Sequence, residues 1–268
     1  MDNFNRCKLC GEIAAQPTYD LADATIYVCR KCDFHFLNRL DAIDSEVKNQ
    51  TGLTTKARQY IDSRIGESAS LLPKRLKMMR KFIRLPGIQC LDIGAGVGQF
   101  LNLLEQKKAH GVGIEPSNLR REYAREKLAV DLRKELVDDH YWQENFVDFF
   151  DAICLWDVIE HVNFPVETCA AAVKLLKPGG YLFLDTPDRE TLPYRMSQRA
   201  YRLSRGKFTF FFPSFYSTAP YGHKQIFTTD QLTGLLQKTG LKIQRVRHTY
   251  RLGIFRGDKI ILVAQKPR

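Results

Sequence analysis

The period of the apolar positions changes several times along the chain, and each change marks an element. Leu72, Leu76, Met79 and Ile83 recur at helical spacing, with Lys74, Arg75, Lys77 and Arg80 between them. This predicts an amphipathic helix with a basic outer side, stopped by Pro86-Gly87. From residue 88 onward, short apolar runs alternate with helical stretches. "IQCLDIGAGVGQFLNLLEQ" (88–106) reads as a strand, a glycine-rich turn and a helix. "HGVGIEPS" is a second strand, followed by the helix "NLRREYAREKL", which Ser117 is placed to cap. "FDAICLWDV" is a buried strand, "ETCAAAVKLL" a helix, and "KPGGYLFLDTP" a turn and a further strand. Thr228 and Gln231 predict a capping box opening "DQLTGLLQKTG", with Gly240 closing that helix; "LKIQRVRHTY" and "DKIILVAQK" follow as two strands. Strands separated by helices imply an α/β fold, a mostly parallel sheet with helices on both faces.

Two stretches carry polar groups where such a sheet binds ligands, at the carboxyl ends of its strands. Gly94, Gly96 and Gly98 let the backbone turn sharply and approach a ligand closely. A dinucleotide fingerprint would need glycine at 99, where Gln99 stands, so a pyrophosphate loop is disfavoured. Asp92, at the end of its strand, suits a cationic amino group better than a phosphate. Glu115 closes the second strand, 23 positions later, where a carboxylate can accept both hydroxyls of a ribose. The second stretch is "WDVIEHV" (156–162), a polar cluster directly after an apolar run. Glu160 reads as structural. His161 reads either as a base or acceptor-orienting group, or as a histidine that only bonds its neighbours.

Four of the seven cysteines fall within residues 7–32, as Cys7-x-x-Cys10, 18 residues, then Cys29-x-x-Cys32. Two such knuckles make a tetrahedral S4 site suited to structural Zn²⁺, in a small zinc ribbon. His35 is expected outside the ligand set. Cys90, Cys154 and Cys169 sit in apolar contexts and read as core. No apolar stretch resembles a signal peptide or approaches a membrane span, so a cytoplasmic protein is expected.

Net charge is +11. It points to an anionic partner, a nucleotide sugar, a phospholipid surface or nucleic acid, against the plainer reading of a solubility surface. Residues 188–224 concentrate the question. Arg189, Arg195, Arg199, Arg202, Arg205 and Lys207 interleave there with Tyr194, Tyr201, Phe208 and Phe210–Phe212. The segment reads as an insertion: an acceptor lid, a peripheral membrane contact over 188–212, or a packed element with a solvated basic face.

"LDIGAGVGQF", "GIEPS", "LWDVIEHV", "LLKPGGYLFLDTP" and "FTTDQLTGLLQKTG" occur in order. The series resembles the class I S-adenosylmethionine-dependent methyltransferases over about residues 70–268, nearest the branch with the ubiquinone-biosynthesis O-methyltransferases. With the cysteine knuckles and "FHFLN", nearly the whole chain is similar to zinc-ribbon methyltransferases of bacterial sugar and polysaccharide biosynthesis. The resemblance implies a Rossmann-like, seven-stranded sheet. It divides the chain into a ribbon (1–45), a linker with the amphipathic helix (46–87; polar over 38–62) and a methyltransferase domain (88–268).

It also implies site residues. Asp92, Gly94, Ala95 and Gly96 would line the methionine part of S-adenosylmethionine. Glu115 would hold the ribose, with Pro116 and Ser117 beside the adenosine. Leu136, in the irregular "LRKELVDDHYW", would face adenine, and Trp156 and Asp157 would lie beside the cofactor. His223 matches the place of a Glu-His pair in the zinc-containing sugar C-methyltransferases. Gly222 replaces that acid, and the long C-terminal domain of those enzymes is missing, so O-methylation is expected instead. The expected acceptor is a sugar hydroxyl on a nucleotide-linked or lipid-linked glycan precursor, with His161 or His223 as base. Two competing readings are an RNA methyltransferase, disfavoured because "LWDV" stands where base methylation needs an Asn/Asp-Pro-Pro-aromatic motif, and a non-catalytic binding protein.

Overall fold

Two matching knuckles open the structure. In the first, the amide of Gly11 donates to the carbonyl of Cys7; in the second, the amide of Asp33 donates to that of Cys29. Gly11 and Asp33 both adopt positive φ, +77° and +53°, so each pair of cysteines is presented by the same tight turn. The computed structural model describes residues 3–41, 58, 59, 61, 62, 65, 70–249 and 258–268. Most of the expected linker over 38–62 lies outside the described residues. The chain divides into two compact units. One comprises Met1–Asp41, Asp157–Ala170 and Leu184–Val263; the other comprises Ala42–Trp156, Ala171–Phe183 and Ala264–Arg268.

The knuckles flank an antiparallel meander of β1 (Ala15–Asp20), β2 (Thr25–Cys29) and β3 (His35–Leu37), in which Ala15 faces Cys29 and Val28 faces His35. Helix α1 (Leu72–Met79) follows. It ends earlier than Pro86-Gly87 suggested: Phe82 and Ile83 already turn back, both donating to the Met79 carbonyl. Arg75, expected on the outer side, is buried. Its guanidinium stacks over the Trp156 ring at 5.1 Å, a cation–π contact that the spacing of charges did not reveal.

The chain continues through β4 (Gln89–Ile93), α2 (Gln99–Glu105), β5 (His110–Ile114), α3 (Asn118–Tyr123) with a π-helical turn at Ala124–Leu128, α4 (His140–Asn145), β6 (Phe150–Trp156), α5 (Pro165–Leu175) and β7 (Leu176–Pro187). Then come α6 (Leu192–Leu203), α7 (Phe212–Phe215), β8 (Gln225–Ile226), α8 (Thr229–Lys238), β9 (Lys242–His248) and β10 (Lys259–Gln265). The main sheet has the order β5-β4-β6-β7-β10-β9, and β4 runs parallel to both β5 and β6. Apart from Gln89 and Asp151, both half-buried, β4 and β6 are wholly buried, as central parallel strands are.

Among the described residues six strands form this sheet, not the expected seven. The place of the missing strand is residues 131–136. It holds a single bridge, Ile114 to Arg133. Asp131, Arg133 and Lys134 are exposed there and only Leu132 is buried, so the segment has too little apolar surface to add a buried strand.

Other expectations at the helix ends divide. Thr228 and Gln231 form the full capping box, and Gly240 takes φ +88° just past α8. Ser117 stands at the start of α3 but makes no side-chain cap bond.

In the first unit, β8 pairs with β3, extending the meander to a four-stranded sheet, β1-β2-β3-β8. The 188–224 segment packs on it. Tyr194, Phe212 and Tyr216 join Tyr19, Ile26, Leu37 and Ile226 in one apolar cluster. The Tyr194 hydroxyl bonds His35 Nδ1 (2.8 Å) and the Tyr216 hydroxyl (2.7 Å), and the Asp20 amide donates to Tyr201.

Candidate functional site

The loop after β4 is built by conformation. Gly94, Gly96 and Gly98 adopt φ of +70°, +61° and +80°, where a side chain is strained. The Gly98 amide closes the turn on the Ala95 carbonyl (2.9 Å), and the Ala95 amide ties the loop to the Ile114 carbonyl (2.9 Å). A Cβ at Gly98 would stand 2.6 Å from Val130 Cγ1, whereas one at Gly96 meets nothing within 4 Å. The loop is thus packed on one side and open on the other.

Glu115 stands beside it, buried. Its Oε2 accepts the Gly96 amide at 2.9 Å and its Oε1 the Ser117 amide at 3.0 Å. Arg120 lies 3.7 Å from Oε2. Burial raises the carboxyl above its ordinary range, and Arg120 and the two amides oppose that. Arg121 fixes the backbone here by donating to the carbonyls of Glu115 (2.7 Å) and Pro116 (2.6 Å).

Asp92 is buried on β4. Leu136 is half-buried in a turn whose carbonyl takes the Asp139 amide. Trp156 ends β6 with its ring edge-on to Phe100 at 5.7 Å, and its buried Nε1–H has no hydrogen-bond partner among the described residues. Asp92, Gly94, Ala95, Gly96, Glu115, Pro116, Ser117, Leu136 and Trp156 all belong to one unit.

Asp157, His161 and His223 belong to the other. Asp157 takes φ +55° and donates its amide to Asp185 Oδ1 (2.9 Å), while its carboxylate is gripped by Lys259. Glu160, wholly buried, accepts the Thr186 hydroxyl on Oε2 (2.9 Å). Burial raises its carboxyl, and the nearby Asp157 adds to that. The rings of His161 and His223 meet edge-on at 4.6 Å between centroids. Burial, then His223 and Lys224, hold the His161 imidazole well below its usual range. His223 Nδ1 lies 3.2 Å from the Phe215 carbonyl.

Behind these side chains lies a group the sequence reading missed. The buried ammonium of Lys224 contacts Asp41 (2.5 Å), the His161 carbonyl (3.0 Å) and the Gly222 carbonyl (3.2 Å). Its only signal in the sequence is a lysine inside the otherwise uncharged "HKQIF".

The four cysteines of the ribbon converge, with Cys7 Sγ 3.6 Å from Cys32 Sγ and Cys10 Sγ 3.7 Å from Cys29 Sγ. All four sulfurs lie within 4.8 Å of one another. These separations are far beyond the roughly 2.05 Å of a disulfide and fit ligands of one tetrahedral ion. Hydrogen bonding from the Cys32 thiol holds the Cys7 thiol below its ordinary range, the ionised form a metal needs. His35 is not among the ligands; it faces Tyr194 and Asp33.

The outer side of 188–212 is amphiphilic. Leu192, Met196, Leu203, Phe208, Phe210 and Phe211 are exposed among arginines. No described helix is long and apolar enough to cross a membrane.

With this geometry in view, comparison with known proteins is informative. Residues 64–246 match the family profile described as "Methyltransferase domain". The ubiquinone biosynthesis O-methyltransferase of Hahella chejuensis is 31% identical over 122 residues, 44% of this chain and 50% of that protein. Its namesake from Xylella fastidiosa is 32% identical over 133 residues, 48% and 53%. The chain therefore spans about half the length of the curated relatives it matches. Among solved structures, a SAM-dependent methyltransferase from Methanosarcina mazei aligns with a TM-score of 0.55 at 18% identity, over 71% of this chain and 97% of that one. One from Aquifex aeolicus aligns with a TM-score of 0.54 at 16% identity, over 77% and 97%. At such identities the likeness is one of fold.

Proposed function

Because the chain belongs to the methyltransferase-domain family, we propose that it moves the methyl group of S-adenosylmethionine onto a hydroxyl of an amphiphilic acceptor. The class to test first is a sugar in a lipid-linked or nucleotide-linked glycan precursor. One observation carries the cofactor half of this reading: the Glu115 carboxylate tied to Gly96 and Ser117. A carboxylate offers about four acceptor positions, so two backbone amides leave room for the two hydroxyls of a ribose. The open space at Gly96 and the unpartnered Nε1–H of Trp156 fit a ligand lying along this loop. Asp92, Gly94 and Ala95 would line the methionine end, Pro116 and Ser117 the adenosine, and Leu136 the adenine.

In the transfer the sulfonium C–S bond breaks as the acceptor O–C bond forms, and the hydroxyl proton leaves. Positioning in line can supply roughly 7–11 kcal/mol. A base can add on the order of 10²–10⁴-fold, and His161 and His223 are the residues proposed for that proton. Oxygen as the accepting atom is supported by the O-methyltransferase activity for which those relatives are named, over the half of their length that is shared. An amphiphilic anionic acceptor is supported by the exposed apolar and basic surface of 192–211 and by the net charge of +11. The same surface supports peripheral contact at the inner face of a membrane. Zn²⁺ on Cys7, Cys10, Cys29 and Cys32 would be structural, because four thiolates complete a tetrahedral shell.

The test is incubation with methyl-labelled cofactor and either nucleotide sugars or extracted lipid-linked precursors, read by mass spectrometry of the product. Label on an acceptor hydroxyl is expected. Label found in RNA instead, or no binding of S-adenosylhomocysteine by calorimetry, would overturn the reading.

A further inference from the structure

The two cysteine knuckles are alike in backbone but not in what holds them. Each is closed by a residue in the left-handed conformation, Gly11 in the first and Asp33 in the second. Each of those residues offers its carbonyl to a guanidinium. For Gly11 the donor is Arg6, five residues earlier, at 2.7 Å. For Asp33 it is Arg189, 156 residues later, which also bonds the Asp33 carboxylate at 2.6 Å. Arg189 is buried, and its own amide donates to the Phe227 carbonyl at 2.9 Å.

Further contacts run from the second knuckle into the same unit. Gln231 Nε2 donates to the carbonyl of Cys32, one of the four ligands, at 2.8 Å. Its Oε1 meanwhile takes the Thr228 amide at 3.0 Å in the capping box of α8. The ring of Phe34 packs on that of Phe227 at 5.0 Å. His35 bonds the Tyr194 hydroxyl, which in turn bonds Tyr216. The turn that carries Cys29 and Cys32 is therefore oriented by side chains from the start of 188–224 and from α8. The first knuckle is braced from within the ribbon, where the Cys7 amide donates to the Glu12 carbonyl at 2.8 Å.

We propose that the four-cysteine metal site and the 192–216 segment are linked: a bound metal fixes the second knuckle, the knuckle fixes Arg189 and Tyr194, and these order the segment. Arg189 and Gln231 are positioning residues, acting on the metal through the backbone of the turn that bears its ligands. Such a linkage is reciprocal. Whatever order the metal gives to 192–216, the ordered segment returns as metal affinity. Resting on the reading of 188–224 as the acceptor's side, metal occupancy then governs acceptor binding. The ribbon is in that case a control element for this half of the reaction rather than a tethered docking module.

The test uses the full chain with Co²⁺ as probe, its affinity read from thiolate-to-metal absorption in competition with a chelator. Arg189→Ala should weaken Co²⁺ binding by roughly 10–100-fold with all four cysteines intact. Gln231→Glu keeps an acceptor for the Thr228 amide and removes the donor to Cys32, so it should weaken Co²⁺ in the same direction with α8 kept. It is the variant to read if the buried Arg189 is needed for folding. Hydrogen exchange followed by mass spectrometry gives the other side of the linkage. Stripping the metal from the wild-type protein should raise exchange over 192–216 at least about tenfold, with α2 as the internal reference. A ribbon that merely rides on the enzyme would lose its own protection and leave that of 192–216 intact. That result, an equal rise over α2, or Co²⁺ affinity unchanged in both variants overturns the proposal. Failure of Co²⁺ to bind the wild-type protein overturns the four-thiolate site and the linkage with it. Neither measurement involves an acceptor, so the methyl-transfer reading stands or falls separately.

Discussion

Glu115→Ala is the perturbation whose consequences follow most directly from the geometry. In the free protein Oε1 and Oε2 satisfy the amides of Ser117 and Gly96 at 3.0 and 2.9 Å. Removing the carboxylate strands both donors. An unsatisfied buried amide costs about 1–3 kcal/mol. Ser117 is buried, but Gly96 is half-buried and can turn to water, so the lower end of the combined range, about 2–3 kcal/mol in total, is expected. That corresponds to a fall of roughly 5–10 °C in melting temperature for a chain of this size.

The effect on the cofactor is larger. Two hydrogen bonds from ribose hydroxyls to a charged carboxylate are worth about 1.5–3 kcal/mol each. Their loss should weaken binding by roughly 10²–10⁴-fold. Glu115→Gln keeps one acceptor oxygen but turns an NH₂ toward an amide donor, so it should fall between wild type and Ala. The assay is isothermal calorimetry with S-adenosylhomocysteine, paired with a thermal melt. A folded Glu115→Ala protein that binds within a factor of about three of wild type, under 0.7 kcal/mol, would refute the reasoning: the carboxylate would then serve only to brace the loop.

Other outcomes follow from other parts of the structure. Cobalt added to the four-cysteine cluster should show the intense thiolate-to-metal absorption of an S4 site, and Cys29→Ser should abolish it; an unchanged spectrum would remove Cys29 from the ligand set. Gly113→Ala places a Cβ 2.6 Å from Leu132 Cδ2 and 2.7 Å from Leu101 Cδ1. It should destabilise the protein by about 1–3 kcal/mol in denaturant unfolding, and a neutral result would contradict the packing described. His35 is buried and its imidazole is pushed down to about 4, first by desolvation, with Arg189 adding to it. Its folded-state affinity for protons is below the unfolded value of 6.5, so the stability it carries is complete above that pH and declines as pH falls toward 4. Its NMR titration should accordingly show no midpoint near 6.5.

Much of this was legible in the sequence because it is local. The glycines at 94, 96 and 98 and the tight turn at each cysteine pair are set within a few residues of chain, and positive φ at the glycines bears out the sharp turn. The capping box at Thr228 is likewise local. What escaped depends on partners far apart in the chain. Lys224 meets Asp41 across 183 positions, and β8, two residues long, pairs with β3. Neither has a period or a motif. Arg75 was placed on a polar side because its neighbours are lysines and arginines, but an aromatic face at Trp156 makes burial favourable. The missing seventh strand is the converse case, since the fold resemblance supplied it and the charges at Asp131, Arg133 and Lys134 did not allow it. In 188–224 the interleaved aromatics do two jobs, with Tyr194 and Phe212 in a core and Phe208 and Phe210 exposed. Composition cannot separate the two.

The claim on which the rest stands is that the glycine loop after β4 and the carboxylate of Glu115 hold an adenosyl sulfonium compound. A crystal structure with S-adenosylhomocysteine bound tests it most directly. Both ribose hydroxyls should lie within hydrogen-bond distance of the Glu115 carboxylate, with the ligand running along Gly94–Gly96. A ligand bound elsewhere, or this loop taken by the pyrophosphate of a dinucleotide, would contradict it.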